Sequence, residues 1–83
     1  MSTSRRQHWT VRSPEDLGLA LAGAREARGL TQAELAERTS MHRSYLAALE
    51  AGPDVIALER TLRALRRLGA TVTITIDEDD AGR

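Results

Sequence analysis

Residues 31–52, TQAELAERTSMHRSYLAALEAG, constrain the fold more than any other part of the chain. Apolar residues recur at helical spacing on both sides of a short polar break. Leu35 and Ala36 precede it, Met41 follows it, and Leu46 and Leu49 come next. Thr31 with Glu34 three residues on is a capping box that opens the first helix. A second helix covers about His42–Ala51 and stops at Gly52-Pro53. Two short helices joined this tightly bring Leu35, Met41, Leu46 and Leu49 into one small core. Ala36 is small where the helices cross, so the backbones can approach closely. Gln32, Arg43 and Ser44 then face outward.

The flanks extend this unit. Met1–Gln7 is a polar arm, expected to be disordered, and His8–Arg12 has the composition of a short strand. Ser13-Pro14-Glu15-Asp16 is a helix start, with a capping serine, a proline at the first helical position and acids at the positive end of the dipole. That helix runs to about Arg28 with Leu17, Leu21 and Ala24 on one face, and Gly29 ends it in a left-handed cap. A fourth helix spans about Ala57–Leu68, with Asp54 as its capping candidate. It buries Leu58, Leu62 and Leu65, places Arg60, Arg63, Arg66 and Arg67 elsewhere, and ends at Gly69.

Thr71–Ile76, TVTITI, alternates strictly, so Val72, Ile74 and Ile76 share one face. A lone strand cannot satisfy its own backbone hydrogen bonds. Its partner is the His8–Arg12 segment, the same strand of a second subunit, or both. The favoured reading is a dimerisation strand using Val72, Ile74 and Ile76, with an intramolecular pair in a monomer as the alternative. Trp9, the single tryptophan, reads as a packing anchor for the terminal segment. The organisation expected is an arm over 1–12, a helical domain over 13–70, a strand over 71–76 and an acidic disordered tail over 77–83.

Eighty-three residues allow one small domain. There is no cysteine, hence no disulfide or thiolate metal site, and His8 and His42 lack ligand spacing. No apolar run approaches the ~20 residues of a membrane span, and no secretory signal is visible, so a cytoplasmic protein is expected. All 12 basic residues are arginine and are balanced by 12 acids. The arm carries Arg5, Arg6 and Arg12 without an acid, and the tail carries Asp77, Glu78, Asp79 and Asp80 against Arg83. The neutral total leaves a locally basic face possible without arguing for one. No nucleophile–base set, phosphate-cradling glycine loop or metal cluster supports an enzyme.

The segment Leu17–Gly69, through "ARGLTQAELAERTS…YLAALEAG", resembles the Cro/phage-repressor (XRE-like) class of helix-turn-helix proteins. The ending "TLRALRRLGATVTITI" is similar to that of HipB-type antitoxins. The resemblance implies a mainly α, four-to-five-helix lambda-repressor-like domain with a C-terminal β-strand used for dimerisation. It further implies a homodimer on a palindromic double-stranded DNA operator, repression of its own operon and neutralisation of a HipA-like kinase toxin. No cofactor is implied. The alternatives are a stand-alone XRE-like repressor and an interaction module that has lost DNA binding.

A recognition helix reads bases with its N-terminal residues and outward face. By this resemblance Arg43, Ser44 and Ala48 occupy base-facing positions. The Arg43 fork matches guanine O6 and N7, worth ~1–3 kcal/mol of discrimination. Ser44 can bond a base edge or a phosphate, and Ala48 can touch a thymine methyl. Thr31 and Gln32 open a helix whose free N–H groups can hold a phosphate, and His42 can touch another. The plain reading of each is a solvated surface residue or a cap. The pattern also has departures. Ser40 stands where the class usually has a left-handed glycine, at about 1 kcal/mol if the conformation is kept. Ala47, Ala48 and Ala51 thin the polar reading face, so modest affinity per domain is expected.

Overall fold

The structure, a computed structural model, describes residues 6–77. In chain order it shows β1 (Arg6–Thr10), α1 (Pro14–Ala27), α2 (Gln32–Arg38), α3 (Arg43–Ala51), α4 (Ile56–Arg67) and β2 (Thr73–Asp77). The mainly helical architecture with a terminal strand is therefore as expected, with four helices and two strands among the described residues. The readings of the arm before Arg6 and of the acidic tail beyond Asp77 fall outside them.

Local chemistry sets the helix ends. The Ser13 hydroxyl accepts from the Asp16 N–H at 3.1 Å, and Pro14 opens α1. Gly29 at φ +70° turns the chain out of α1, as the left-handed cap requires. Thr31 and Glu34 form the reciprocal capping box at the start of α2. Asp54 does not cap α4. Val55 takes the N-cap position without a side-chain bond, because α4 begins one residue before the expected Ala57.

The two strands pair antiparallel within the chain, from Arg6 opposite Asp77 to Thr10 opposite Thr73. Beyond the sheet's end the Val11 N–H donates to the Val72 carbonyl at 2.8 Å. The N-terminal segment is thus one partner of β2, although β1 lies two residues earlier than His8–Arg12. The sheet's inner face packs on α1. Trp9 lies over Gly23, where any Cβ would run into the indole ring, so the anchoring role read for Trp9 holds.

One core cluster joins Val11, Ala20 and Leu62, with Trp9, Leu17, Leu58, Val72 and Ile74 packed against it. Leu62 is the buried residue of α4, while Leu58 and Leu65 are only half-buried because the helix packs along a single seam. Leu46 of α3, 2 % exposed, and Ala36 of α2 are also buried, on two helices that contact one another. Burying a leucine this fully is worth roughly 1.5–3 kcal/mol. Met41 was expected to pack with Leu46, yet it is 37 % exposed. Its backbone N–H closes the turn onto the Ala36 carbonyl at 2.8 Å, which leaves the side chain at the surface.

Candidate nucleic-acid interface

The α2–turn–α3 unit is held against α1 by two contacts that fix the pose of α3. Gly18 of α1 abuts the Glu50 carbonyl so closely that a Cβ there would overlap it. The Arg25 guanidinium grips the Glu50 carboxylate through Nε at 2.7 Å and Nη2 at 3.1 Å, and its Nη1 donates to the Leu30 carbonyl at 2.8 Å. Both side chains are nearly buried, at 11 % and 6 % exposure. The hydrogen bond from Arg25 holds the Glu50 carboxyl below its ordinary range against the opposing effect of burial, with Gln32 assisting. The same bond raises Arg25.

The pair reaches the surface through one amide. Gln32 Nε2 donates to Glu50 Oε1 at 2.9 Å, and Arg43 Nη1 donates to Gln32 Oε1 at 2.9 Å. Because Nε2 faces a carboxylate, the orientation of the Gln32 amide is fixed, and its oxygen is left for Arg43. The chain Arg25–Glu50–Gln32–Arg43 links the α1–α3 seam to the first residue of α3.

Of the six expected contact residues, Thr31, His42, Arg43, Ser44 and Ala48 are exposed and Gln32 is half-buried. His42 is the exposed N-cap of α3 and makes no side-chain cap bond. Arg43, Ser44 and Ala48 follow on the exposed side of that helix. Thr31 is exposed, with its hydroxyl accepting from the Glu34 N–H at 3.1 Å and its own N–H donating to Glu34 Oε1 at 2.8 Å. These bonds lower Glu34, the backbone one foremost. Thr31 therefore spends its polar groups on the cap, while Gln32 is half-buried and serves as the bridge to Arg43. Ser40 takes the left-handed conformation at φ +59° although it is not glycine.

Two things were not read from the sequence. For Tyr45 the sequence slightly favours partial burial against α2 over a place along the DNA backbone, yet the side chain is 56 % exposed. Arg25 and Glu50 were not singled out at all. Their signal lay in periodicity. Arg25 follows Gly18 by seven residues on the packed side of α1, and a charge on that stripe demands a partner.

Residues 16–74 match the helix-turn-helix domain family, and the chain belongs to it. It is 43 % identical over 60 residues to an uncharacterized HTH-type transcriptional regulator of Methanothermobacter thermautotrophicus, covering 69 % of this chain and 87 % of that protein. No solved structure matches the chain. Among the described residues, no helix is long and apolar enough to cross a membrane.

Proposed function

We propose that the chain is a transcriptional regulator that reads double-stranded DNA with α3 in the major groove. One observation carries this. Arg43 stands exposed at the first turn of α3 and is aimed by Gln32, whose own orientation is set by the near-buried Glu50. A side chain held this way has its guanidinium presented for guanine before DNA arrives. Ser44 and Ala48 share the reading surface, while Gln32 and His42 lie at its rim for phosphate contact. Tyr45 adds a hydroxyl to the same rim.

The surface is sparse in polar groups, so useful affinity comes from a homodimer on paired half-sites about one helical turn apart. The finer reading is an autorepressing antitoxin that also restrains a HipA-like kinase. It is supported by the resemblance of the α4–β2 ending. A stand-alone regulator is the second reading, supported by the name of the Methanothermobacter relative. A kinase-like reading frame beside the gene, with co-purification of its product, separates the two.

The test is fluorescence anisotropy on the chain's own upstream DNA and on scrambled DNA, at fixed near-physiological salt. Preference for the upstream DNA should fall by ~1–3 kcal/mol in Arg43→Ala. Equal, weak binding to both DNAs, unchanged by the substitution, would sink direct readout and leave an interaction module.

A further inference from the structure

The charges of this formally neutral chain are unevenly placed. Arg60, Arg63 and Arg67 stand at i, i+3 and i+7 on α4 and so share one face of the helix, with Arg66 at its edge. All four are exposed. Arg66 Nη1 donates to the Arg12 carbonyl, which brings the exposed Arg12 alongside. Two acids border the patch. Glu59 accepts from Arg63 Nη2 at 2.7 Å, and Asp16 accepts from the Arg12 N–H at 2.9 Å. Glu15 and Asp54 line a hollow with Glu59 at the start of α4, so the positive charge gathers towards the end of the helix. Arg12, Arg60 and Arg67 form no side-chain ion pair among the described residues.

The make-up of this face decides what it fits. Protein interfaces gather apolar side chains at their centre and shed charge there. Here no such centre exists. Around α4 from Arg66 to Arg60, the other residues besides arginine are Glu59 and Ile56, and Ile56 is the first residue of the helix. Interfaces with nucleic acid are more polar and far more positive. Phosphates recur every ~3.4 Å of duplex axis on each strand, and the rise of α4 spreads Arg60 to Arg67 over about 10 Å. The row can therefore meet several phosphates. The reading surface also needs such contacts. It offers Arg43 and the uncapped His42, whereas phosphate neutralisation supplies nearly all non-specific DNA affinity and a large share of specific affinity. Only residues 52–55 separate α3 from α4, a link of at most about 18 Å, so the arginine face flanks the reading helix.

We propose that the arginine face of α4, together with Arg12, binds the phosphate backbone of the DNA beyond the stretch that α3 reads. This rests on the DNA reading above and adds to it a contact that carries no sequence information. Arg43 then sets the preference for one DNA over another, and α4 sets a grip that salt weakens. Each phosphate neutralised releases counterions and steepens the fall of log affinity with log salt by about 0.9. Arg60 and Arg67 are exposed and tie down no other part of the fold, so their removal reports on DNA rather than on folding.

The experiment titrates the full chain and its Arg60→Ala/Arg67→Ala double variant onto the upstream and scrambled duplexes by fluorescence anisotropy at several salt concentrations. The variant should bind both DNAs more weakly, keep the preference between them and lose about 1.8 from the salt slope. Between about 50 and 200 mM salt the native chain should thus lose about twelvefold more affinity than the variant. Arg60→Lys/Arg67→Lys should restore the slope, since the slope counts charges. An unchanged slope in the folded alanine variant would overturn this surface, leave the DNA reading standing and turn the patch over to an acidic protein face. A reduced slope with no native preference for upstream DNA would keep the surface and overturn direct readout. Absence of binding to either DNA would overturn both. Should the double variant not fold, Arg67→Ala alone decides, with half the change in slope expected.

Discussion

Ser40 and Gly29 carry the same backbone requirement with opposite residues. Both sit in the left-handed region, at φ +59° and +70°. An L side chain there is strained by roughly 1 kcal/mol because its Cβ crowds the backbone. Ser40→Gly should therefore stabilise the chain by about 1 kcal/mol and raise Tm by about 4–8 °C for a domain of this size, read by thermal circular dichroism. A Tm that stays put or falls would mean that the serine side chain compensates the strain. Gly29→Ala tests the converse. Nothing lies within 4 Å of a Cβ there, so its loss measures conformation alone. This scale was the most legible in the sequence. Ser13, Gly29, Thr31, Glu34 and Ser40 act on neighbours a few residues away, and that chemistry is written in adjacent letters.

Between elements, legibility fell off where partners lie far apart in the chain. The crossing of α2 and α3 was readable because Ala36 and Leu46 sit at fixed spacing around a known turn. Met41 was misplaced because the turn closes through its backbone, which leaves the side chain free to point elsewhere. The Arg25–Glu50 tie spans 25 residues, and nothing local names Glu50 as the answer to Arg25. That tie makes a prediction about acid. Glu50 is lowered in the folded chain, so its contribution is present above the unfolded carboxyl value of about 4.3. It is lost as pH falls through the lowered folded value. Arg25 is raised, so its share is full at and below neutral pH and disappears only in strong alkali. Stability should thus fall on the acid side alone as far as this pair is concerned. Glu50→Gln leaves the nearly buried Arg25 with only the exposed Glu26 carboxylate, 3.8 Å away, as counter-charge and should destabilise by about 1–3 kcal/mol. It should also flatten the acid limb in urea titrations across pH. A variant with native stability and an unchanged acid limb would remove the pair from the account of how α3 is held.

The whole molecule is broad and thin, with extents of 40 × 37 × 15 Å and a radius of gyration of 14.3 Å. A compact chain of this length would have about 11–12 Å. Its buried apolar residues among those described are Val11, Ala20, Ala36, Leu46 and Leu62. Two of the five are alanines, so little side-chain area leaves water. Ile56 and Leu68 lie largely exposed on and just after α4, at 67 % and 80 %, and an apolar groove walled by Leu17, Leu21, Ala24, Leu49 and Ile74 stands open along α1. A small domain with this shape gains stability most readily by burying a second surface against another molecule. If that molecule is another copy, folding and association are one equilibrium, and mass action ties Tm to protein concentration. Each tenfold rise in concentration adds about 1.4 kcal/mol to the folded dimer, which for a domain of this size moves Tm upward by a few degrees. Scanning calorimetry over a broad concentration series should show that drift in the native chain. Superimposable native melts across the series would show that the thin body is stable by itself and that its open groove adds nothing to folding.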